Sequence, residues 1–144
     1  MPRSPRDLVE IEAYAHATED PDRVKAAIEN ILPERFKGNV VYIREKLEGH
    51  YGNPIIIYRV NVENASEEFL LSLLERMSWE DKVSLRRNLD RHIGRHKILY
   101  LRFDKQEAYL GRLRTGYSDP ICVRLKLKPH VFKKLPSLLE PEGG

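Results

Sequence analysis

The sequence predicts an α+β domain, in which helices cover one face of a mainly antiparallel sheet in a two-layer sandwich. Strand-type and helix-type periodicity follow one another in the order strand, helix, strand, strand, helix, helix, strand, strand, helix. The chain has 144 residues, of which 41% are hydrophobic, and this is enough to bury one core. It contains no internal repeat and no low-complexity linker. We therefore expect a single domain over 1–144, with an ordered core over about 7–139 and short tails.

Alternation and a helix cap mark the first strand and the first helix. Residues 8–15 place apolar side chains on one face and mostly polar ones on the other, which predicts a half-buried strand. Asp20 is a preferred N-cap residue, and Pro21 suits the first helical position. Apolar residues then recur at helical spacing, so the first helix is expected over 21–32.

A hairpin and a second helix complete the first half. Two segments rich in β-branched residues, 40–47 and 54–62, flank a turn of Gly, Asn and Pro. They predict two paired strands with a long tip. Asn64 or Ser66 is expected to cap the second helix.

The second half begins with a helix and continues with strands. Ser78 opens a variant of the capping box, and the third helix is expected to end near Gly94. Residues 110–120 form either a mobile basic loop or an irregular strand. The other predicted elements are strands over 97–104 and 120–128, a short helix or loop over 105–111, and a short helix over 131–139.

Charge is segregated along the chain. Residues 1–75 hold 9 Lys and Arg against 14 Asp and Glu, a net charge of −5, whereas residues 76–144 hold 16 against 8, a net charge of +8. A dense field of cations attracts polyanions, and nucleic acid is the commonest polyanion in a cell. The alternative is that these cations only solvate exposed faces and that acidic neighbours cancel their field.

The strand predicted over 120–128 carries the most informative cations. Arg124, Lys126 and Lys128 share one parity, so they lie in a row with a spacing of about 7 Å on the outer surface. Such a row repels itself unless a neighbouring strand supplies carboxylates, and Glu10 and Glu12 on the polar face of the first strand are candidates.

These patterns together predict a surface that binds nucleic acid. Two segments also have a purely structural interpretation. Asp104 can cap the following turn instead of belonging to a contact surface, and the loop after Glu48 can be a hairpin turn that needs glycine. Tyrosines at 100, 109 and 117 could stack on bases or lie at the edge of the core. We expect phosphate contacts from Arg86, Arg87, Arg112, Arg114, Arg124, Lys126 and Lys128, local contacts from Lys105 and Gln106, and a loop contact from His50 and Tyr51.

Several other classes of protein are disfavoured. Cys122 is the only cysteine, which excludes an internal disulfide and a thiolate metal site, and Gly94 interrupts the spacing of His92 and His96. The sequence has no phosphate-binding glycine loop and no nucleophile elbow, so we expect no cofactor and no catalysis. It also has no apolar segment long enough for a membrane span or a signal peptide, and we expect a soluble cytoplasmic protein. A single glutamine beside abundant Glu, Lys and Arg favours a heat-adapted source.

Four segments carry a resemblance to a known family. They are 16–20, which reads His-Ala-Thr-Glu-Asp, the glycine-rich turn 49–55, residues 102–111 and the Asp-Pro-Ile of 119–121. In this order the chain resembles the archaeal family of predicted RNA-binding, exosome-associated proteins over about residues 7–129. The resemblance implies an α+β domain similar to that of the ribosomal protein that binds 5S RNA, which has been likened to double-stranded-RNA-binding domains. It implies no known catalytic residue or cofactor.

We therefore expect a non-catalytic RNA-binding protein that acts in RNA processing or degradation, with exosome subunits as partners implied by the resemblance. The type of RNA and the formation of a dimer stay open. Two alternatives remain: an adaptor whose acidic first half binds a basic protein, and a ribonuclease that uses His50 and Lys105.

Overall fold

A five-stranded antiparallel sheet organises the part of the chain that this computed structural model describes, residues 6–49 and 52–140. Helices pack on one of its faces, which confirms the α+β prediction. The strands are β1 (Leu8–Ala15), β2 (Ile43–Glu48), β3 (Pro54–Glu63), β4 (Ile98–Phe103) and β5 (Ile121–Lys126). The helices are α1 (Pro21–Ile31), α2 (Ser66–Arg76), α3 (Trp79–Arg87), α4 (Leu89–His92), α5 (Lys105–Tyr109), α6 (Pro129–Phe132) and α7 (Leu135–Leu138).

Strand β1 lies at the centre of the sheet, whose order is β2-β3-β1-β5-β4. Its alternating pattern places Val9, Ile11 and Ala13 in the core, where they are at most 1% exposed. The same parity is buried in β4 and β5, and α1 and α2 cover this layer with their apolar faces. The opposite parity forms the outer face of the sheet.

Helix caps agree with the sequence at two helices and differ at a third. Asp20 accepts a hydrogen bond from the Asp22 amide at 2.9 Å, and Ser78 accepts one from the Asp81 amide at 3.2 Å. Helix α2 was expected to be capped by Asn64 or Ser66, and both expectations are wrong. The carboxylate of Asp7, 59 residues earlier, accepts the first helical amide at 2.9 Å instead.

The predicted third helix is shorter than expected. It stops at Asn88, a four-residue helix follows, and the chain then turns through Gly94. The predicted helix over 131–139 is likewise two short helices, α6 and α7. Strand β2 begins at Ile43 rather than at residue 40. Within the described ranges, no helix has the length and apolar character that crossing a membrane requires.

The segment over 110–120 contains an irregular strand along the outer edge of β4. Thr115 bridges Phe103, and the Asp104 amide donates to the Arg114 carbonyl at 2.8 Å. A Cβ at Gly116 would lie 3.0 Å from the Asp104 backbone, so this close approach favours glycine. The segment therefore follows the irregular-strand alternative, as single bridges rather than as a regular strand.

Strand register defines two ends of the sheet. Ala15 pairs with Ile56 and Phe103 pairs with Ile121, so the first end, the Ala15 end, carries the segments at 16–20, 104–110 and 119–120. At the second end, the Lys126 end, Leu8 and Ile98 both pair with Lys126. Three segments of the resemblance thus lie at the Ala15 end, and the fourth, 49–55, falls partly outside the described residues.

Candidate nucleic-acid interface

The outer face of the sheet carries cations, and carboxylates compensate two of them, Arg59 and Arg124. Arg59 on β3 donates to Glu12 on β1 at 2.8 Å and to Glu45 on β2 at 2.6 Å. Arg124 lies 3.5 Å from Glu10, as the register of β1 and β5 requires. The expectation that Glu10 compensates the row on β5 is confirmed for Arg124, whereas Glu12 pairs with Arg59 instead. This face is therefore a patchwork rather than a continuous basic surface.

The pKa of Glu12 reflects this arrangement. Burial raises the pKa, but hydrogen bonds from the Arg59 guanidinium and the Tyr14 phenol outweigh burial and hold the pKa below its usual value. Glu12 is therefore ionised at neutral pH and holds Arg59 on the protein. Arg59 is consequently a poor candidate for a phosphate contact.

Lys105 lies inside an ion-pair cluster rather than on a contact surface. Its side chain is 13% exposed, and its ammonium donates to both carboxylate oxygens of Glu19 at 2.9 Å, to the Tyr14 carbonyl at 2.8 Å and to Asp119. His16 lies 3.0 Å from the same Asp119 carboxylate. The ammonium joins the β1–α1 loop, α5 and the turn before β5. Because its hydrogen bonds go to the protein, Lys105 is not available to hold a phosphate.

The same cluster has the spacing of a cation site. Ligand atoms of His16, Glu19 and Asp119 lie within 4.8 Å of one another. The ammonium of Lys105 already contacts both carboxylates and supplies the positive charge they need. Burial raises the pKa of Glu19, but hydrogen bonds from Lys105 and the His16 amide outweigh burial, so the pKa lies below its usual value. We therefore interpret the cluster as a structural clamp.

A cleft of about 550 Å³ opens beside this clamp at the Ala15 end. Its floor includes Val24 and Ala27 of α1, which are 4% and 1% exposed. The Arg23 guanidinium lies over the Tyr109 ring, 5.4 Å from its centroid. Gln106, predicted as a local contact, is exposed at the rim of the cleft. The remaining lining residues are Thr18, Glu19, Asp20, Asp104, Lys105, Ser118 and Asp119.

Four of the 16 Lys and Arg of residues 76–144 have a carboxylate within 4.0 Å among the described residues. Apart from Lys105 and Arg124, these are Arg112, whose guanidinium lies 2.7 Å from Glu107, and Arg86, which lies 3.9 Å from Glu140. Arg87 and Arg114 are exposed, and no carboxylate of the described chain approaches them this closely. The predicted cations thus divide into a compensated set and an uncompensated set.

The uncompensated cations are concentrated at the Lys126 end. Three segments meet there, since Ile98 pairs with Lys126 and the Lys97 ammonium lies 5.9 Å from the Phe132 ring centroid. Within residues 6–49 and 52–140, no carboxylate lies within 4.0 Å of any cation in this group. We call it the basic corner, and it consists of Arg95, Lys97, Lys126, Lys128, Lys133 and Lys134.

Arg95 and Lys97 of the basic corner lie in a turn with unusual backbone geometry. His96 and Lys97 have φ values of 61° and 59°, in the left-handed region that non-glycine residues seldom occupy. Arg95, His96 and Lys97 are all exposed in this turn. A strained turn persists only where its surroundings hold it, and such turns are concentrated at functional sites.

Lys126 and Lys128 were predicted from the sequence as phosphate contacts, and the other four members of the corner were not. Lys133 and Lys134 lie beyond the last strand, and Arg95 and Lys97 precede β4, so their proximity depends on register. Trp79 was also missed. It is 60% exposed and lines a groove on α3 with Val83, Arg86 and Arg87, and its i, i+4, i+7 spacing with Val83 and Arg86 was the available signal.

The catalytic alternatives gain no geometric support. His92 is buried in α4 with its Nδ1 atom 3.0 Å from the Tyr100 carbonyl oxygen, whereas His96 is exposed in the following turn. Lys105 of the proposed ribonuclease pair is held in the clamp. His50 and Tyr51, the predicted loop contacts, lie outside the described residues.

Relatives of this chain are archaeal. It is 34% identical over 130 residues to RNA-binding protein PAB1135 of Pyrococcus abyssi, which covers 88% of this chain and 84% of that protein. It is 35% identical over 117 residues to the uncharacterized protein MJ0213 of Methanocaldococcus jannaschii, with 78% of each chain covered.

Two crystal structures of DUF54 proteins share the fold. AF2318 of Archaeoglobus fulgidus has a TM-score of 0.73 and 31% identity over 91% of this chain and 94% of that one. SSO0741 of Sulfolobus solfataricus has a TM-score of 0.78 and 26% identity over 92% and 96%. A family model described as RNA binding matches residues 8–128, which include all five strands, and the chain therefore belongs to this family.

Proposed function

We propose that the protein binds RNA without catalysing its cleavage, and that the basic corner holds the RNA phosphates. The observation that carries this proposal is the placement of six cations on three segments that the Ile98–Lys126 pairing and the Lys97–Phe132 contact bring to one end of the sheet. None of the six has a carboxylate of the described chain within 4.0 Å, although Lys128 also lines a groove with acidic residues of α2. The family description and the name of the Pyrococcus relative support RNA as the polyanion.

Phosphate binding at such a corner is driven by counterion release. Each phosphate that a Lys or Arg neutralises releases condensed counterions, so affinity falls steeply as the salt concentration rises. Arg87 on α3 and Arg114 beside β4 are further exposed cations with no close carboxylate in the described chain, and Arg114 lies next to Asp104, at the Ala15 end. Arg86 on α3 is a further candidate, because its distance of 3.9 Å from Glu140 leaves that pair weak.

We also propose a role in RNA processing or degradation with subunits of the archaeal exosome, in the cytoplasm. The resemblance described above supports this finer assignment. Co-sedimentation of the protein with purified exosome core, before and after ribonuclease treatment, tests it. Association that survives removal of RNA indicates a direct protein contact, and loss of association in both samples contradicts the assignment.

The central experiment measures the affinity for a fluorescein-labelled RNA by anisotropy as a function of salt. For about five phosphate contacts, we expect a log–log slope between about −3 and −5 and a fall in affinity of orders of magnitude between ~50 and ~200 mM salt. No binding at ~50 mM salt would contradict the proposal and favour a protein adaptor. RNA that stays intact with the wild-type protein excludes the ribonuclease alternative.

A pair of matched charge reversals locates the surface. Lys126→Glu with Lys133→Glu changes the basic corner, and Arg44→Glu with Lys46→Glu makes the same change of charge on β2 at the opposite edge. We expect a loss of about 100-fold from the first variant and less than about threefold from the second. Equal losses would show that net charge alone, rather than this corner, governs binding.

A further inference from the structure

We propose that the cleft at the Ala15 end receives one unpaired nucleobase of the bound RNA, and that it prefers bases with an exocyclic amino group. This inference rests on the proposed RNA-binding function and assigns a second site, distinct from the phosphate-binding corner. The cleft and the corner lie at opposite ends of β4, since Asp104 follows Phe103 and Lys97 precedes Ile98.

The shape of the cleft fits one nucleoside. Its volume of about 550 Å³ lies in the range of small-ligand sites. The floor is apolar because Val24 and Ala27 are buried there. Tyr109, which is 37% exposed, and the Arg23 guanidinium above its ring supply two planar groups on which a base can stack.

The charge of the cleft favours a base over a phosphate as its ligand. Four carboxylates and two cations line the cleft, which leaves a net charge of −2. This net charge repels a phosphate. The amino hydrogens of a neutral base are donors, and Asp20 and Asp104, which each cap a helix through one oxygen, offer a second carboxylate oxygen as acceptor. Of the two cations, Lys105 is already held by Glu19 and Asp119, and Arg23 lies over the Tyr109 ring.

The clamp makes the cleft a rigid site. Lys105 links the β1–α1 loop to α5 and to the turn at Asp119, so one ammonium ties three lining segments together. Asp104 caps α5 by accepting from the Glu107 amide at 2.9 Å, which sets the position of the exposed Gln106 amide. A preformed site binds a ligand with less loss of conformational entropy.

The first experiment uses cytidine and uridine, which differ by an amino group against a carbonyl on the same ring. Each is titrated into the ¹⁵N-labelled full chain, with inorganic phosphate as a third probe. We expect cytidine to shift the amide signals of Thr18, Gln106 and Ser118 more strongly than uridine, and phosphate to leave them unchanged while it shifts signals at the basic corner. No cytidine shift, or an equal shift by phosphate, would overturn the inference.

The second experiment measures the affinity for a cytidine-rich single-stranded RNA. Arg23→Gln with Tyr109→Leu removes both planar groups, and we expect a loss on the order of tenfold. Lys25→Gln is the matched control, because it removes the same charge from the same helix but its ammonium lies over the Tyr42 ring, outside the cleft. Circular dichroism verifies that both variants fold.

The outcomes separate the two proposals. If the wild-type protein binds RNA and the Arg23 and Tyr109 variant binds it equally well, the inference about the cleft fails and the proposed function stands. If the protein binds no RNA at low salt, the proposed function fails. Cytidine shifts that persist unchanged in the double variant would also overturn the inference, because the stacking groups would then be irrelevant.

Discussion

Two lysines that flank strand β4 differ in whether carboxylates bind them. Lys105, two residues after the strand, is 13% exposed and bonded to Glu19, Asp119 and a carbonyl. Lys97, immediately before the strand, is exposed, and its ammonium lies 5.9 Å from the Phe132 ring centroid. The two are equivalent in a count of charges along the sequence. The difference teaches that a lysine can attract a polyanion only where the fold supplies no carboxylate.

Removing the two charges separately is the most direct test of this difference. Lys105→Met leaves Glu19 and Asp119 close together without their cation, and we expect a loss of about 2 kcal/mol in the free energy of unfolding, below the full value for a buried pair because the carboxylates are partly exposed. The measurement is thermal or urea unfolding.

The matched control is Lys97→Met, which should change the unfolding free energy by less than about 0.5 kcal/mol. A Lys105→Met protein as stable as the wild type would show that the clamp contributes nothing to the fold.

The same Lys97→Met variant tests the other half of the comparison. We expect RNA affinity to fall about fivefold at low salt and the salt slope to decrease by about 1, because one phosphate contact is lost. Anisotropy at four or more salt concentrations measures both quantities. An unchanged salt slope would place Lys97 outside the interface. The phosphate-binding surface would then be limited to the cations at 126–134.

Arg112 and Arg114 repeat the comparison within three residues. Arg112 lies 2.7 Å from Glu107, whereas Arg114 is exposed and has no carboxylate within 4.0 Å in the described chain. We expect Arg114→Gln to weaken RNA binding about threefold and Arg112→Gln to weaken it less, since Glu107 already balances that charge. The reverse order would mean that proximity to a carboxylate does not decide which cations bind.

The smallest expected effect is the pH dependence of the clamp. The folded pKa of Glu19 lies below its usual value of 4.5, so ionised Glu19 stabilises the fold above that pH, and the stabilisation is lost as the pH falls through the folded pKa. We expect the difference in unfolding free energy between the wild type and Glu19→Gln to be less than about 1 kcal/mol at pH 6.

Urea unfolding of the two proteins at several pH values measures this difference. It should shrink below about pH 4.5. A difference that stays constant down to pH 3 would show that Glu19 acts through packing rather than charge.

Interactions between residues close in sequence explain most of the correct predictions. The strand over 8–15 was placed to the residue because its alternation needs one buried face, and Asp20, Ser78 and Asp104 cap their helices through their own neighbouring amides. Where the cap comes from a distant residue, as Asp7 does for α2, no local signal exists. The third helix ends at Asn88, before the predicted end near Gly94, and its weakly apolar face buries only Leu85.

The candidate site followed the same division. Lys126, Lys128, Arg87 and Arg114 were predicted as phosphate contacts from their charge and position, and the structure gives them no close carboxylate in its described part. Lys105 was misplaced on the surface because its partners Glu19 and Asp119 lie 86 and 14 residues away. The cleft was not predicted at all, although three of the segments that form it had been singled out as motifs.

By itself, the sequence determined the class of fold, the surplus of positive charge in the second half and the local start of most helices, because periodicity, charge and caps depend on neighbouring residues. Only the tertiary structure decided which cations are compensated, which segments meet at the basic corner and which residues enclose the cleft. The physical reason is strand register. Ile98 pairs with Lys126 and Glu10 pairs with Arg124, so the sheet brings together side chains that are far apart in the sequence.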